Sequence, residues 1–198
     1  MAITNGYTTL SEVKSALRIT DTVDDALIEL SVESASREID GVTQRFFYQQ
    51  TAQTRVYRPL SALEVVTDDI VTITTFKTSL ANGVFDTTWA ATDYQLEPLN
   101  GIAGGVVVPR NRVRAVGDYF FPMTLDEEAT VQIVGTFGFS AVPTAIKQAT
   151  TILAIRHFKR YDSPLGVAGF GDLGAMRVGR TDPDVEALIY PYRKVSVG

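Results

Sequence analysis

The chain has 198 residues, 45% hydrophobic and 21% charged, with a formal net charge of −5. That is enough apolar material for one large domain, or a domain with a sizeable insertion, to bury a core without staples. Cysteine is absent, which excludes disulfides, thiolate chemistry and cysteine metal sites and fits synthesis in a reducing cytoplasm.

Thr9-Leu10-Ser11-Glu12 has capping-box spacing: the Thr9 hydroxyl reaches the Glu12 amide and the Glu12 carboxylate reaches back. Val13, Ala16 and Leu17 then mark one face of a short helix ending near Ile19. A second helix follows, with Thr22 as its expected N-cap and Asp24 and Asp25 at the positive end of its dipole. Leu27, Leu30, Ser34, Ala35, Ile39, Val42 and Phe46 recur at helical spacing and predict its packed stripe. Ser34 and Ala35 would let another helix come close.

From Phe47 the texture turns to Val, Thr, Tyr and Phe in short runs. Strands are expected at Thr54–Arg58, Val71–Phe76, Tyr94–Glu97, Gly105–Val108 and Thr130–Gly135. Asn82-Gly83 and Leu99-Asn100-Gly101 read as tight turns. Helical texture returns at Pro143. Ile146, Ala149, Ile152, Leu153 and Ile155 crowd this third helix and make it the central one. His157, Lys159 and Arg160 suit its negative end, and Pro164 and Gly166 stop it. A glycine-rich segment follows, with Gly166, Gly169, Gly171, Gly174 and Gly179 marking a flexible loop. Asp182-Pro183 opens a last helix, as N-cap and first residue, and Pro191 ends it.

The expected class is therefore α+β. Residues 1–46 and 141–198 form a four-helix body. Residues 47–140 form a strand-rich insertion, a small barrel or sandwich, between the second and third helices.

Little in the chain supports chemistry. Gly169-Phe170-Gly171-Asp172-Leu173-Gly174 spells G-x-G-x-x-G, but it follows a helix end, whereas a dinucleotide fingerprint follows a strand. His157 is the single histidine, so it has no second histidine for a metal or hydrolytic site. It reads as a structural or dipole-facing residue on the Ile146, Ala149 and Leu153 face. Asp24-Asp25 reads as helix capping, and Asp68-Asp69 and Asp126-Glu127-Glu128 as solvated turns. No cofactor, metal ligand or catalytic pair is assigned, and no enzyme activity is expected.

Two features suggest contacts instead. Arg110, Arg112 and Arg114 alternate, so on a strand they share one face. They would make a subunit or tail-side contact, or else guard a solvated edge strand. Tyr190, Tyr192, Arg193 and Lys194 follow the last helix; tyrosine and arginine are favoured at interfaces, and the two tyrosines read equally well as core packing. The acidic balance argues against a phosphate-gripping surface. No long apolar run predicts a membrane helix. The first residues lack the basic and apolar regions of a signal peptide.

Two stretches together resemble the head–tail connector, adaptor or head-completion, family of long-tailed bacteriophages. The first is Thr9-Leu10-Ser11-Glu12-Val13-Lys14 with Leu17-Arg18-Ile19, Asp24-Asp25-Ala26-Leu27, Ala35, Ile39-Asp40, Arg45 and Phe47. The second is Pro143, Ile146-Lys147 and Ala149 through Ser163-Pro164-Leu165-Gly166, then Asp182-Pro183 and Pro191-Tyr192-Arg193. The resemblance implies a non-enzymatic virion neck protein, made in the host bacterial cytoplasm. Such a protein forms a homo-oligomeric ring, dodecameric by expectation, on the portal protein after DNA packaging. It meets a tail-side stopper or tail-terminator protein, and double-stranded DNA passes through its channel without specific binding. It also implies a portal interface at Tyr190, Pro191, Tyr192, Arg193, Lys194 and Val195. Deleting Pro191 to Gly198 is then expected to abolish portal addition and leave the fold intact. The large β insertion departs from smaller members, which have little more than a hairpin there.

A rival reading makes the β block a carbohydrate- or peptide-binding module. Trp89, Tyr94, Tyr119, Phe120 and Phe121 would form its exposed aromatic platform, whereas the plainer reading of the same residues is an aromatic core for the block.

Overall fold

The computed structural model describes residues 3–80, 83–126, 128–162, 167–168, 176–177 and 182–194. The chain divides into two compact units, Met1–Gln44 with Val142–Gly198, and Arg45–Ala141. The first is helical and the second is an antiparallel sheet, so the class is α+β.

In the helical unit, α1 spans Leu10–Leu17, α2 Asp25–Thr43, α3 Thr144–Asp162 and α4 Pro183–Ile189. The Thr9–Glu12 capping box forms, with the Glu12 amide donating to the Thr9 hydroxyl at 3.2 Å and the Thr9 amide to Glu12 at 3.1 Å. Lys147 also bonds Glu12 and, with these bonds, lowers its pKa to about 2. Arg18 closes α1 in the left-handed region at φ 60°. The start of α2 differs from expectation. Asp24, not Thr22, is its N-cap residue and makes no side-chain cap bond. The Asp21 carboxylate instead accepts from the Val23 amide at 3.1 Å, turning the chain just before the helix.

Helix α3 packs on α1, α2 and α4. Ile28, Val32, Ala35 and Ile39 of α2 and Ile146, Ala149 and Ala154 of α3 are fully buried. Each large aliphatic among them contributes about 1.5–3 kcal/mol. The close packing uses hydroxyl residues that bond back to their own helix. Ser31, Ser36 and Thr43 on α2 and Thr150 on α3 each donate to the carbonyl four residues earlier, at 2.8 Å. Their polar atoms are thus satisfied without thickening the interface. The packed stripe of α2 is therefore centred on Ile28, Val32, Ala35 and Ile39. Leu27, Leu30 and Ser34, read from the sequence as part of it, face outward, and Val42 is partly exposed at the edge of the packed side.

Asp40 is the one buried carboxylate in the core face of α2. It accepts from the Tyr7 hydroxyl and lies 3.0 Å from the Arg37 Nε. Burial raises its pKa from 3.8 to about 6, against the lowering effects of Tyr7 and Arg37. The folded chain thus holds the Asp40 proton more tightly than the unfolded chain. The resulting stabilisation is full below the unfolded pKa and is lost as pH rises through the folded one. Stability from this group should fall by about 1 kcal/mol between pH 5 and pH 7. The Asp40→Asn chain should lose that slope, and urea titrations at the two pH values would show it. An unchanged slope would reject the assignment.

In the second unit, β1 spans Gln50–Tyr57, β2 Glu64–Thr78, β3 Thr87–Trp89, β4 Tyr94–Glu97, β5 Ile102–Ala103, β6 Val106–Val107, β7 Arg110–Ala115 and β8 Val131–Phe137. Six of these make one antiparallel sheet in the order β1-β8-β2-β7-β4, with β3 on β2. β5 and β6 form a separate small hairpin. The long β2 serves three neighbours, β7 along Glu64–Ile70, β8 along Ile70–Thr78 and β3 along Phe76–Thr78. Register shifts between Ile70 and Thr72 and between Ile73 and Thr75 interrupt its pairing with β8. Such irregularities bend a strand and raise its twist. Gly135 of β8 lies opposite Ile73, where a Cβ would stand 2.1 Å from the Thr72 carbonyl oxygen. The core holds Val65, Ile70, Phe76, Trp89, Val113, Phe121, Ile133 and Phe137.

The described parts of the glycine-rich segment are β9, Val167–Ala168, and β10, Met176–Arg177, which pair antiparallel. Gly166, Gly169, Gly171, Gly174 and Gly179 lie outside the described residues.

Candidate assembly surfaces

The C-terminal end is built on α4. The Asp182 carboxylate accepts from the Asp184 and Val185 amides at 3.0 and 3.4 Å, and Pro183 supplies the first turn. Val185 and Ile189 are buried. A 3-10 turn, Tyr190–Tyr192, continues from the helix. Its two tyrosines part ways, because Tyr190 is 68% exposed and Tyr192 only 7%. The Arg193 guanidinium grips Glu186 at 2.8 and 3.0 Å. The Lys194 amide donates to the Thr43 carbonyl at 2.9 Å, fastening the tail to the end of α2. Val195 lies outside the described residues.

Of the six C-terminal positions singled out in the sequence, Tyr190 thus stands free, Pro191 is half-buried, and Tyr192 to Lys194 anchor the tip. This changes one expectation. Deleting Pro191 to Gly198 would remove a buried tyrosine and the bond to Thr43, so the deletion would not leave the fold untouched.

Helices α2, α3 and α4 enclose a groove of about 650 Å³. Its floor includes Ile39, Leu153, Val185 and Ile189, and its rim is charged. His157 sits on this rim, half-buried, with its Nε2 2.9 Å from a Glu38 carboxylate oxygen. That contact makes it a structural partner of α2. The rim charges largely pair with one another, as Arg193 with Glu186 and His157 with Glu38.

In the β unit, Arg110, Arg112 and Arg114 do share one face of β7, opposite buried Val113 and Ala115. β7, however, lies between β2 and β4 and is not an edge strand. Its neighbours supply carboxylates: Arg112 meets Glu64 at 2.6 Å and Arg114 lies 3.8 Å from Glu97. Arg110 is exposed and has no ion pair among the described residues. The stripe is thus mostly neutralised within its own sheet.

The acidic pairs also have local partners. Asp25 bonds Lys14 at 2.5 Å. Asp68 and Asp69 lie inside β2, not in a turn, and bind Arg55 at 2.7 Å and Arg45 at 2.6 Å. Among the described residues no group of three or more His, Asp or Glu could hold a metal ion. No described helix is long and apolar enough to cross a membrane.

The aromatic platform of the binding-module reading is largely core. Trp89 stacks on Phe121 at 5.0 Å and tilts against Phe76 at 5.5 Å. Its indole N–H donates to Thr78 at 3.0 Å, which completes its burial. Only Tyr119 and Phe120 of the five are exposed. Two side chains beside a buried tryptophan do not make the proposed platform.

Residues 7–82 match the family model of the Phage gp6-like head-tail connector protein. The first of the two stretches that carried the resemblance lies inside that match, and the resemblance is borne out there. No curated protein matches the chain. Among solved structures, the chain is similar to one from the neck of a native GTA particle computed with C12 symmetry, at 23% identity and TM-score 0.59. It is similar to another from the neck of an empty GTA particle computed with C6 symmetry, at 22% identity and TM-score 0.57. A third is from the virion of a native gene transfer agent (GTA) particle, at 23% identity and TM-score 0.53. Each likeness covers 100% of this chain and 94% of the other. At these identities what is shared is the fold.

Proposed function

We propose that this chain is a structural virion neck protein, a head–tail adaptor that forms a ring on the portal after DNA packaging. The observation that carries the reading is the coincidence of two independent likenesses. Residues 7–82 match connector sequences, and the fold of both units, over the full chain, resembles that of chains from particle necks. In this reading the four helices, residues 1–46 and 141–198, form the ring body. The inserted β domain, residues 47–140, faces the outside or the tail-side protein. Arg110 is its best remaining basic contact, since Arg112 and Arg114 are committed to Glu64 and Glu97.

A ring of twelve is supported by the C12 symmetry of one similar neck. Twelve copies at −5 each bring a formal charge of about −60, which disfavours phosphate gripping in a channel that DNA must traverse. The chain then belongs at the head–tail junction, between the portal and a stopper or tail-terminator protein.

The reading is tested by immunogold microscopy on purified tailed particles that contain this chain. Label confined to the head–tail junction is expected. Unlabelled particles, where the capsid protein labels well, would reject it.

The portal contact can be tested more finely. Tyr190 is the exposed aromatic of a tip held rigid by Tyr192, Arg193 and Lys194. Such a residue has the character of a hot spot, worth about 2 kcal/mol or more. Tyr190→Ala should therefore weaken portal addition at least about tenfold, with its melting temperature unchanged. Equal portal affinity in a pull-down would move the contact away from this end.

A further inference from the structure

The β5–β6 hairpin holds two apolar side chains out in water. Its turn, Ala103-Gly104-Gly105-Val106, has both glycines at positive φ, 58° and 80°, as a two-residue type I′ turn demands. Ile102 and Val107 are directly paired across the hairpin, so their side chains share one side of it. They are 58% and 77% exposed. At the foot, the Gly101 amide donates to the Pro98 carbonyl and the Val108 amide to the Gly101 carbonyl, both at 2.9 Å, and Val108 is buried. The foot is thus fixed while the apolar pair stands in solvent. The Arg110 guanidinium lies beside that foot, since a Cβ built on Gly101 would stand 3.6 Å from its Cζ. Arg110 is the one arginine of the β7 stripe with no ion pair among the described residues.

A socket for such a tip lies elsewhere on the same unit. Pro59, Leu60, Pro122 and Met123 line a pocket of about 230 Å³ formed by the β1–β2 and β7–β8 connections. The side chains of Ile102 and Val107 hold seven carbons; at about 30 Å³ each, the share of a water, they fill about 210 Å³. Glu128 stands at the pocket edge, exposed. Its amide donates to the Thr124 hydroxyl at 2.8 Å, and its carboxylate has no ion pair among the described residues. Arg58, which also lines the pocket, has a partner of its own within the chain. Plug and socket of one chain lie apart. Arg110 pairs with Ile70, and Ile70 with Phe137 at the end of β8. The pocket adjoins the opposite end of β8, where Val131 pairs with Tyr57. The strand between them spans about 20 Å.

We propose that the β5–β6 hairpin of one copy seats Ile102 and Val107 in the Leu60–Met123 pocket of the next copy, where Arg110 meets Glu128. The inference rests on the ring reading above and names a contact that links successive subunits through their β units. Neither charge has an ion pair in its own chain, so joining them across copies gains a pair without breaking one, and it sets the register of the contact. Plug and socket are different surfaces, so the contact passes from copy to copy and closes when the rotation allows. Pairing hairpin with hairpin would instead set Arg110 against Arg110 and would stop at two copies.

The absence of cysteine makes the test direct. Full-length chains carrying Val107→Cys or Met123→Cys, both exposed positions, are mixed at millimolar concentration and treated with a flexible bis-maleimide. The mixture should give a cross-linked heterodimer that neither variant gives alone, and the double variant a ladder of larger species. Adding Arg110→Glu to the Val107→Cys chain should cut the heterodimer at least about tenfold. Adding Glu128→Arg to the Met123→Cys chain as well should restore it. Three results would overturn the proposal. One is either variant dimerising alone as readily as the mixture. Another is a heterodimer no stronger than that given when Gln53→Cys, an exposed position on β1, replaces Met123→Cys. The third is a yield that ignores the charge reversals. Melting curves matched to the parent establish folding, and Ile102→Cys with Leu60→Cys serves as a second pair should either variant melt early. Portal addition is measured separately on the parent chain. A chain that adds to a portal but gives no heterodimer refutes this contact and leaves the neck reading standing. A chain that cross-links as expected but does not add to a portal refutes the neck reading and leaves the contact.

Discussion

Replacing Arg45 by methionine is expected to destabilise the β unit by about 3–5 kcal/mol, because the change leaves the Asp69 carboxylate buried without its counter-charge. The two side chains are 7% and 6% exposed and meet at 2.6 Å. Arg45 is also the first residue of this unit, so the pair fixes the chain where the sheet begins. Phe47 packs next to it against Phe139, ring centroids 4.7 Å apart. Trp89, the single tryptophan, lies in the same unit's core and reports its unfolding. Its fluorescence in urea should show the midpoint falling by about 1 M or more. The double change Arg45→Met with Asp69→Leu removes both charges and should recover much of the loss. A single change costing under about 1 kcal/mol would place the pair among solvent-screened contacts.

Gly138→Ala should be at least as damaging, for a backbone reason. Gly138 sits at φ +97°, and a Cβ there would stand 2.0 Å from the Tyr48 carbonyl oxygen. The strained conformation alone costs about 1–3 kcal/mol in a residue with a side chain. The clash adds to this and cannot be relieved by a rotamer, since the obstacle is main chain. The Gly138 amide also donates to the Asp69 carbonyl at 2.8 Å, so displacing it disturbs the corner that holds Arg45. Gly135→Ala should act similarly through the Thr72 carbonyl, 2.1 Å from the built Cβ. Gly41→Ala is the contrast. That residue lies within α2 with open space around its Cβ, and alanine there should stabilise by about 0.5–1 kcal/mol. Thermal melts of the three variants test the ordering. A Gly138→Ala chain as stable as Gly41→Ala would contradict the geometry.

The helix beginnings were legible in the sequence wherever one short segment supplies both donor and acceptor. Thr9 with Glu12, and Asp182 with Pro183, cap their helices as expected. The Thr22 reading failed for the same kind of reason, since Asp21 offered the chain a competing turn through the Val23 amide. The strand-rich texture of the middle block was equally readable. The strands at Thr87–Trp89 and Ile102–Ala103 were not, being too short to show an alternation.

Composition and local pattern determined that this is an α+β chain without cysteine, with a central third helix and a helix opened by Asp182-Pro183. They also carried the family resemblance. Tertiary packing decided the rest. Two apolar stripes run along α2, and α3 covers the one containing Ile28 and Ile39, leaving Leu27 and Leu30 outside. Three arginines alternate on β7, and their charge is largely answered by Glu64 on β2 and Glu97 on β4. Two tyrosines lie two residues apart at the C-terminal end, and only Tyr192 is buried. A capping bond or a turn joins residues within a few positions of each other, so sequence spacing contains its geometry. Burial and charge pairing join residues far apart along the chain, and only the folded arrangement brings them within reach.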